Sequence, residues 1–98
     1  MTLVDQLDGE WDTEGFLGQL RTGTFVPEHA ARFLAVLRGI EIPDEAMVPK
    51  RALSLLWYLP SFLAWQRERV AEQGGDIVAF DRFVTEVHNT LEEVLGVP

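Results

Sequence analysis

The chain has 98 residues, no cysteine, and sixteen acidic against eight basic side chains, for a net charge of -8. A chain of this length forms one domain that buries a single core without a staple, and the lack of cysteine excludes disulfides, thiolate metal sites and a cysteine nucleophile. The negative balance repels nucleic acid phosphates and disfavours anionic membrane surfaces, so it points to a basic protein partner or to solubility alone.

The charge is unevenly spread. Residues 1–20 carry five acids (Asp5, Asp8, Glu10, Asp12, Glu14) and no base, whereas residues 50–69 hold four bases against one acid. The acidic arm either folds back toward those bases or stays solvated and offers itself to a partner. Its acids and lack of an apolar run are unlike a signal peptide. The longest uncharged stretch, residues 52–65, has fourteen residues, short of the roughly 20 that a membrane span requires. The expectation is a cytoplasmic protein, and the preference for Arg over Lys suggests a GC-rich bacterial genome.

Along the chain, Leu3, Val4 and Leu7 make a short helical face that Gly9 is expected to end. Asp12 or Thr13 then caps a helix over 14–22, with Glu14 near its positive end. Phe16, Leu17 and Leu20 form its buried side and Gly23 stops it. Gly15 and Gly18 each cost such a helix about 1 kcal/mol relative to Ala, so it depends on tertiary packing or admits a neighbour's backbone. Pro27 at the first helical position and Glu28 in the first turn start a helix over 27–38. Ala30, Phe33, Leu34 and Leu37 supply its apolar face, and Gly39 stops it. A short turn over 43–48 follows, interrupted by Val48-Pro49.

The next segment, 50–73, contains the uncharged stretch. Pro60 removes the donor that the Leu56 carbonyl needs and clashes with that turn, which predicts a kink or a break near 57–60, with a kinked continuous helix favoured over two separate ones. A helical projection places Leu53, Leu56, Trp57, Leu63 and Ala64 on the core side, flanked by Leu55, Leu59, Phe62 and Val70. Arg51, Ser54, Tyr58, Ser61, Trp65, Glu68 and Glu72 form the remaining, wettable stripe. Gly74-Gly75 marks a turn, after which Asp76 caps a final helix over 77–95. Its apolar face runs from Ile77 and Phe80 through Phe83 and Val87 to Leu91 and Leu95. No segment alternates as a half-buried strand would. The fold expected is all-α: a compact single-domain bundle, residues 1–98, of four to five helices around a central proline-kinked hydrophobic helix.

Catalytic and metal chemistry find little support. His29 and His88 fall at the edges of apolar helix faces, where a half-buried structural histidine is the simpler reading than a general base. His88 and Glu92 share a helix face, but two ligands do not make a metal site. Ser54 and Ser61 lie outside any nucleophile elbow, and no glycine-rich phosphate loop is present. The expectation is a protein that is not an enzyme and takes no metal or cofactor.

Interaction residues stand out more clearly. Tyr58 and Trp65 lie on the wettable stripe with Glu68, and amphipathic aromatics among small polar and charged residues are typical interface anchors. Trp11, among Asp8, Glu10, Asp12 and Glu14, is either the pin of the acidic arm or an anchor entering a partner. These eight residues form the expected partner-binding set. The function expected is a small acidic protein-binding module that neutralises a partner with a basic surface. A bacterial immunity protein or antitoxin that blocks a toxin such as a nuclease is its most concrete form. The alternatives are a self-associating structural or regulatory subunit, forming a homo-oligomer, and a helical domain that takes a small apolar ligand near Pro60.

Overall fold

The computed structural model describes residues 2–98 and is an all-α bundle. Its helical segments are α1 (Leu3–Trp11), α2 (Phe16–Leu20), α3 (Pro27–Arg38), α4 (Lys50–Trp57), α5 (Leu59–Glu72) and α6 (Ile77–Leu95). One hydrophobic core draws on all six, from Leu7 through Phe16, Phe33, Leu56 and Leu63 to Phe80 and Val87. None of these helices is long and apolar enough to cross a membrane.

Two helices have the bounds their end signals predict. The α3 helix opens on Pro27 and closes at Gly39, and α6 opens on Asp76, whose carboxylate accepts a hydrogen bond from the Ala79 N–H at 3.0 Å. The α6 helix is the longest and packs against both α3 and α5. Phe80 and Phe83 meet Phe25 at tilted angles, and Phe83 meets Phe16 and Phe33, so one aromatic layer joins α2, α3 and α6.

The N-terminal third departs from expectation. The α1 helix passes through Gly9 and ends at Trp11, its start capped by the Thr2 hydroxyl, which accepts from the Asp5 N–H at 3.1 Å. An exposed glycine costs such a helix only about 1 kcal/mol, and tertiary packing at both ends of α1 offsets it. The next helix starts at Phe16, two residues later than predicted, because Asp12 closes α1 instead of capping α2. Gly15 and Gly18 let these two short helices pack backbone to backbone. A Cβ on Gly18 would overlap the Asp12 carbonyl, and one on Gly15 would overlap the carbonyls of Gly9 and Glu10. Gly23, at φ +86°, turns the chain beside the end of α5, where the Arg69 guanidinium donates to the Arg21 carbonyl at 2.8 Å.

Residues 43–48 form no helix; a single turn closes with the Ala46 N–H on the Pro43 carbonyl at 2.9 Å. The helix is interrupted at Tyr58, which divides the central segment into α4 and α5 in place of one continuous kinked helix, with Pro60 in the first turn of α5. The two halves then pack differently, α4 on α1 and α5 on α6. That division overturns part of the predicted core face. Ala52, Leu55, Leu56 and Leu59 are buried, whereas Leu53, Trp57 and Ala64 face outward. The segment is apolar nearly all round, so its own sequence does not fix which side is covered. The docking of α1 and α6 fixes it.

Candidate protein-binding surface

The acidic arm is folded, and it divides the predicted binding residues into two groups. Asp8 pairs with Arg51 of α4 at 2.7 Å, and Glu10, 8% exposed, pairs with Arg32 of α3 at 3.1 Å. The second carboxylate oxygen of Glu10, Oε2, is buried without a hydrogen-bond partner among the described residues. Trp11 lies half-buried at the end of α1. Its indole N–H donates to the Leu55 carbonyl at 3.3 Å and its ring meets Phe62 edge-on at 4.7 Å. Trp11 is therefore the pin of the arm. Asp8 and Glu10 brace that arm through internal pairs, so of the two arrangements expected for the arm, these three residues show the one folded back onto the core. Asp12 and Glu14, by contrast, are exposed in the corner between α1 and α2.

The predicted stripe on the central segment is exposed as expected. Tyr58 is 44% and Trp65 77% exposed, and Ser61 and Glu68 are exposed with them. Tyr58 keeps helical dihedrals and its carbonyl accepts from the Phe62 N–H at 2.9 Å. The stripe consequently continues from the junction onto α5, two turns from Tyr58 to Trp65. Sequence reasoning missed Trp57, which was assigned to the core and is 64% exposed. It meets Tyr58 edge-on at 6.1 Å, and Tyr58 in turn lies 6.1 Å from Trp11. Trp57 follows Leu53 by one turn, and both face away from the buried Ala52, Leu55 and Leu56; nothing within α4 itself marks that side as the uncovered one.

These aromatics border an open groove of about 310 Å³, lined by Trp11, Arg21, Arg51, Ser54, Leu55, Trp57 and Tyr58. The groove lies on the outside of the α4–α5 junction; on the inside, Leu56 and Leu59 are fully buried. A second concavity, on the other side of the α1–α2 corner, is lined by Glu10, Asp12, Thr13, Glu14 and Arg32 together with glycine backbone.

Ion pairs among the described residues join Arg32 to Glu10, Arg38 to Glu86, Arg51 to Asp8 and Arg67 to Asp81. Twelve of the sixteen acids and four of the eight bases thus stand outside these four pairs. The Arg67–Asp81 pair is bidentate, at 2.9 and 3.0 Å. The hydrogen bonds from Arg67 hold the Asp81 carboxyl below the usual carboxylate range, and Asp81 raises the guanidinium above its own. Both histidines are exposed, not half-buried as expected. No three His, Asp or Glu side chains among the described residues converge as a metal set would. Comparison with known proteins gives no match: no protein family, curated protein or solved structure resembles the chain closely enough to count.

Proposed function

We propose that this chain is a small acidic protein-binding module whose contact surface is the aromatic band of α4 and α5. The observation that carries the reading is the exposure of Trp57, Tyr58 and Trp65 on rigid helices of a filled bundle. Large aromatic rings held in water cost solvation free energy that a partner recovers by covering them, and their few rotamers make that recovery efficient. The threefold excess of unpaired acids over unpaired bases among the described residues gives the surroundings a negative field, which steers a basic surface and repels an acidic one. Asp12, Glu14 and Glu68 are the exposed acids of the predicted set that supply it. Asp8 and Glu10 support the scaffold. The most concrete form of this function is a cytoplasmic immunity protein or antitoxin that blocks a basic toxin without chemistry of its own.

The test starts with photo-crosslinkers placed at positions 57 and 65, with position 88 on α6 as a control, in the native host. A captured protein is then purified and titrated. The expected result is a one-to-one complex with a basic protein, an association rate that falls as salt rises, and at least about tenfold weaker binding for Trp57→Ala and Trp65→Ala. Capture from position 88 alone, an acidic partner, or full affinity in both variants would overturn the proposal. Light scattering at micromolar concentration that returns a dimer would assign the band to a second copy of the chain instead.

A further inference from the structure

The groove at the α4–α5 junction has the opposite electrostatic character from the protein around it. In a chain of net charge -8, both charged side chains that line it are arginines. They differ in state. Arg51 already shares its charge with Asp8 at 2.7 Å, and Asp8 does not line the groove. Arg21 has no carboxylate partner among the described residues, so the groove carries about one uncompensated positive charge.

Arg21 is also positioned. Its guanidinium lies 5.6 Å from the Trp11 ring centre and 5.7 Å from that of Phe62. Its carbonyl is held by Arg69 at 2.8 Å. The cation rests against two aromatic rings that stand at 68° to each other, and no acceptor among the described residues takes its N–H donors, so a carboxylate can be read by the fork. Ser54 and Tyr58 add hydroxyls, and Trp57, Tyr58 and Leu55 supply apolar wall. A volume of about 310 Å³ is at the small end of ligand pockets, so the occupant is a single compact group.

We infer that this groove binds a carboxylate carried on a flat apolar group, with Arg21 as the fork that reads the carboxylate and Trp57 and Tyr58 as the walls against the apolar part. The inference does not rest on the proposed protein partner, because a small carboxylate supplies the same chemistry. Two sources fit: a free aromatic acid, or the C-terminal carboxylate of a peptide that ends in an aromatic residue.

Isotope-labelled protein is titrated with phenylacetate and with acetyl-Gly-Gly-Phe, each alongside its neutral amide, while the three indole N–H resonances are followed. The expected result is saturable movement of the Trp11 and Trp57 signals with Trp65 unmoved, at least about fivefold weaker binding of the amides, and about tenfold weaker binding of the acids to Arg21→Gln. Arg21→Lys keeps the charge but loses the fork, and falls between the two. Whichever acid binds more tightly identifies the source. Equal binding of acid and amide, equal movement of Trp65, or unchanged affinity in a folded Arg21→Gln protein would overturn the inference.

Discussion

Asp8, Glu10 and Asp12 look equivalent in the sequence and are not equivalent in the fold. Glu10 is buried against Arg32 and Asp12 is exposed. Reversing a buried, paired charge puts an ammonium in the covered Glu10 site against the like charge of Arg32, whereas an exposed reversal is nearly neutral. Glu10→Lys is therefore expected to cost at least about 2 kcal/mol in urea unfolding, and Asp12→Lys to stay within about 0.5 kcal/mol of the parent. Asp81 gives a second residue-scale prediction. Its carboxyl titrates lower in the folded state than in the unfolded chain, so its contribution is present above the ordinary Asp range and is lost as pH falls through the depressed folded value. Asp81→Asn should consequently lose less stability than the parent between about pH 5 and about pH 3, read from thermal unfolding at each pH. Nothing local in the sequence distinguishes these acids. Their partners lie tens of residues away, and Arg32 and Arg51 become neighbours of α1 only through the fold.

At the scale of elements, legibility depended on whether both ends of a segment carry a signal. The α3 and α6 helices have Pro27 and Gly39, Asp76 and Gly96 at their boundaries, and their bounds follow. The short helices α1 and α2 do not follow their signals, since α1 runs through Gly9 and takes Asp12 as its own end, and their extent is set by the close approach at Gly15 and Gly18. That approach makes two glycines respond in opposite directions. Gly18→Ala, whose Cβ overlaps the Asp12 carbonyl, should destabilise the protein by about 1–3 kcal/mol. Gly9→Ala, inside α1 with nothing near its added methyl, should stabilise it by about 0.5–1 kcal/mol. Circular dichroism melts of the two variants check both signs. The central segment was legible as helix and as interrupted near Pro60. Its faces were less so, because Leu53 and Trp57 are as apolar as the residues that are buried, and hydrophobicity alone gives no direction.

Across the described residues, twelve acids against four bases remain outside ion pairs, so the folded state repels itself. Salt screens that repulsion within about 10 Å at 0.1 M. The melting temperature should thus rise when sodium chloride is raised from about 20 to about 300 mM, measured in one buffer at neutral pH. A fall would mean that the ion pairs outweigh the repulsion. The all-α class, the aromatic stripe and the overall charge were legible from the sequence. The cationic groove was not, because Trp11, Arg21, Arg51 and Trp57 come from three separate helical segments and meet only in the folded chain.

The unequal settings of the three tryptophans also govern how the protein emits light. Trp57 and Trp65 are solvated in the native state and only Trp11 is sheltered. Native emission is then dominated by wet indoles and changes little when the chain unfolds, so fluorescence is a poor gauge of folding here. The same property makes it a sensitive gauge of occupancy: a shift to shorter wavelength in the folded protein would report water leaving Trp57 or Trp65. Iodide should quench Trp57, beside the two arginines of the groove, more strongly relative to neutral acrylamide than it quenches Trp65.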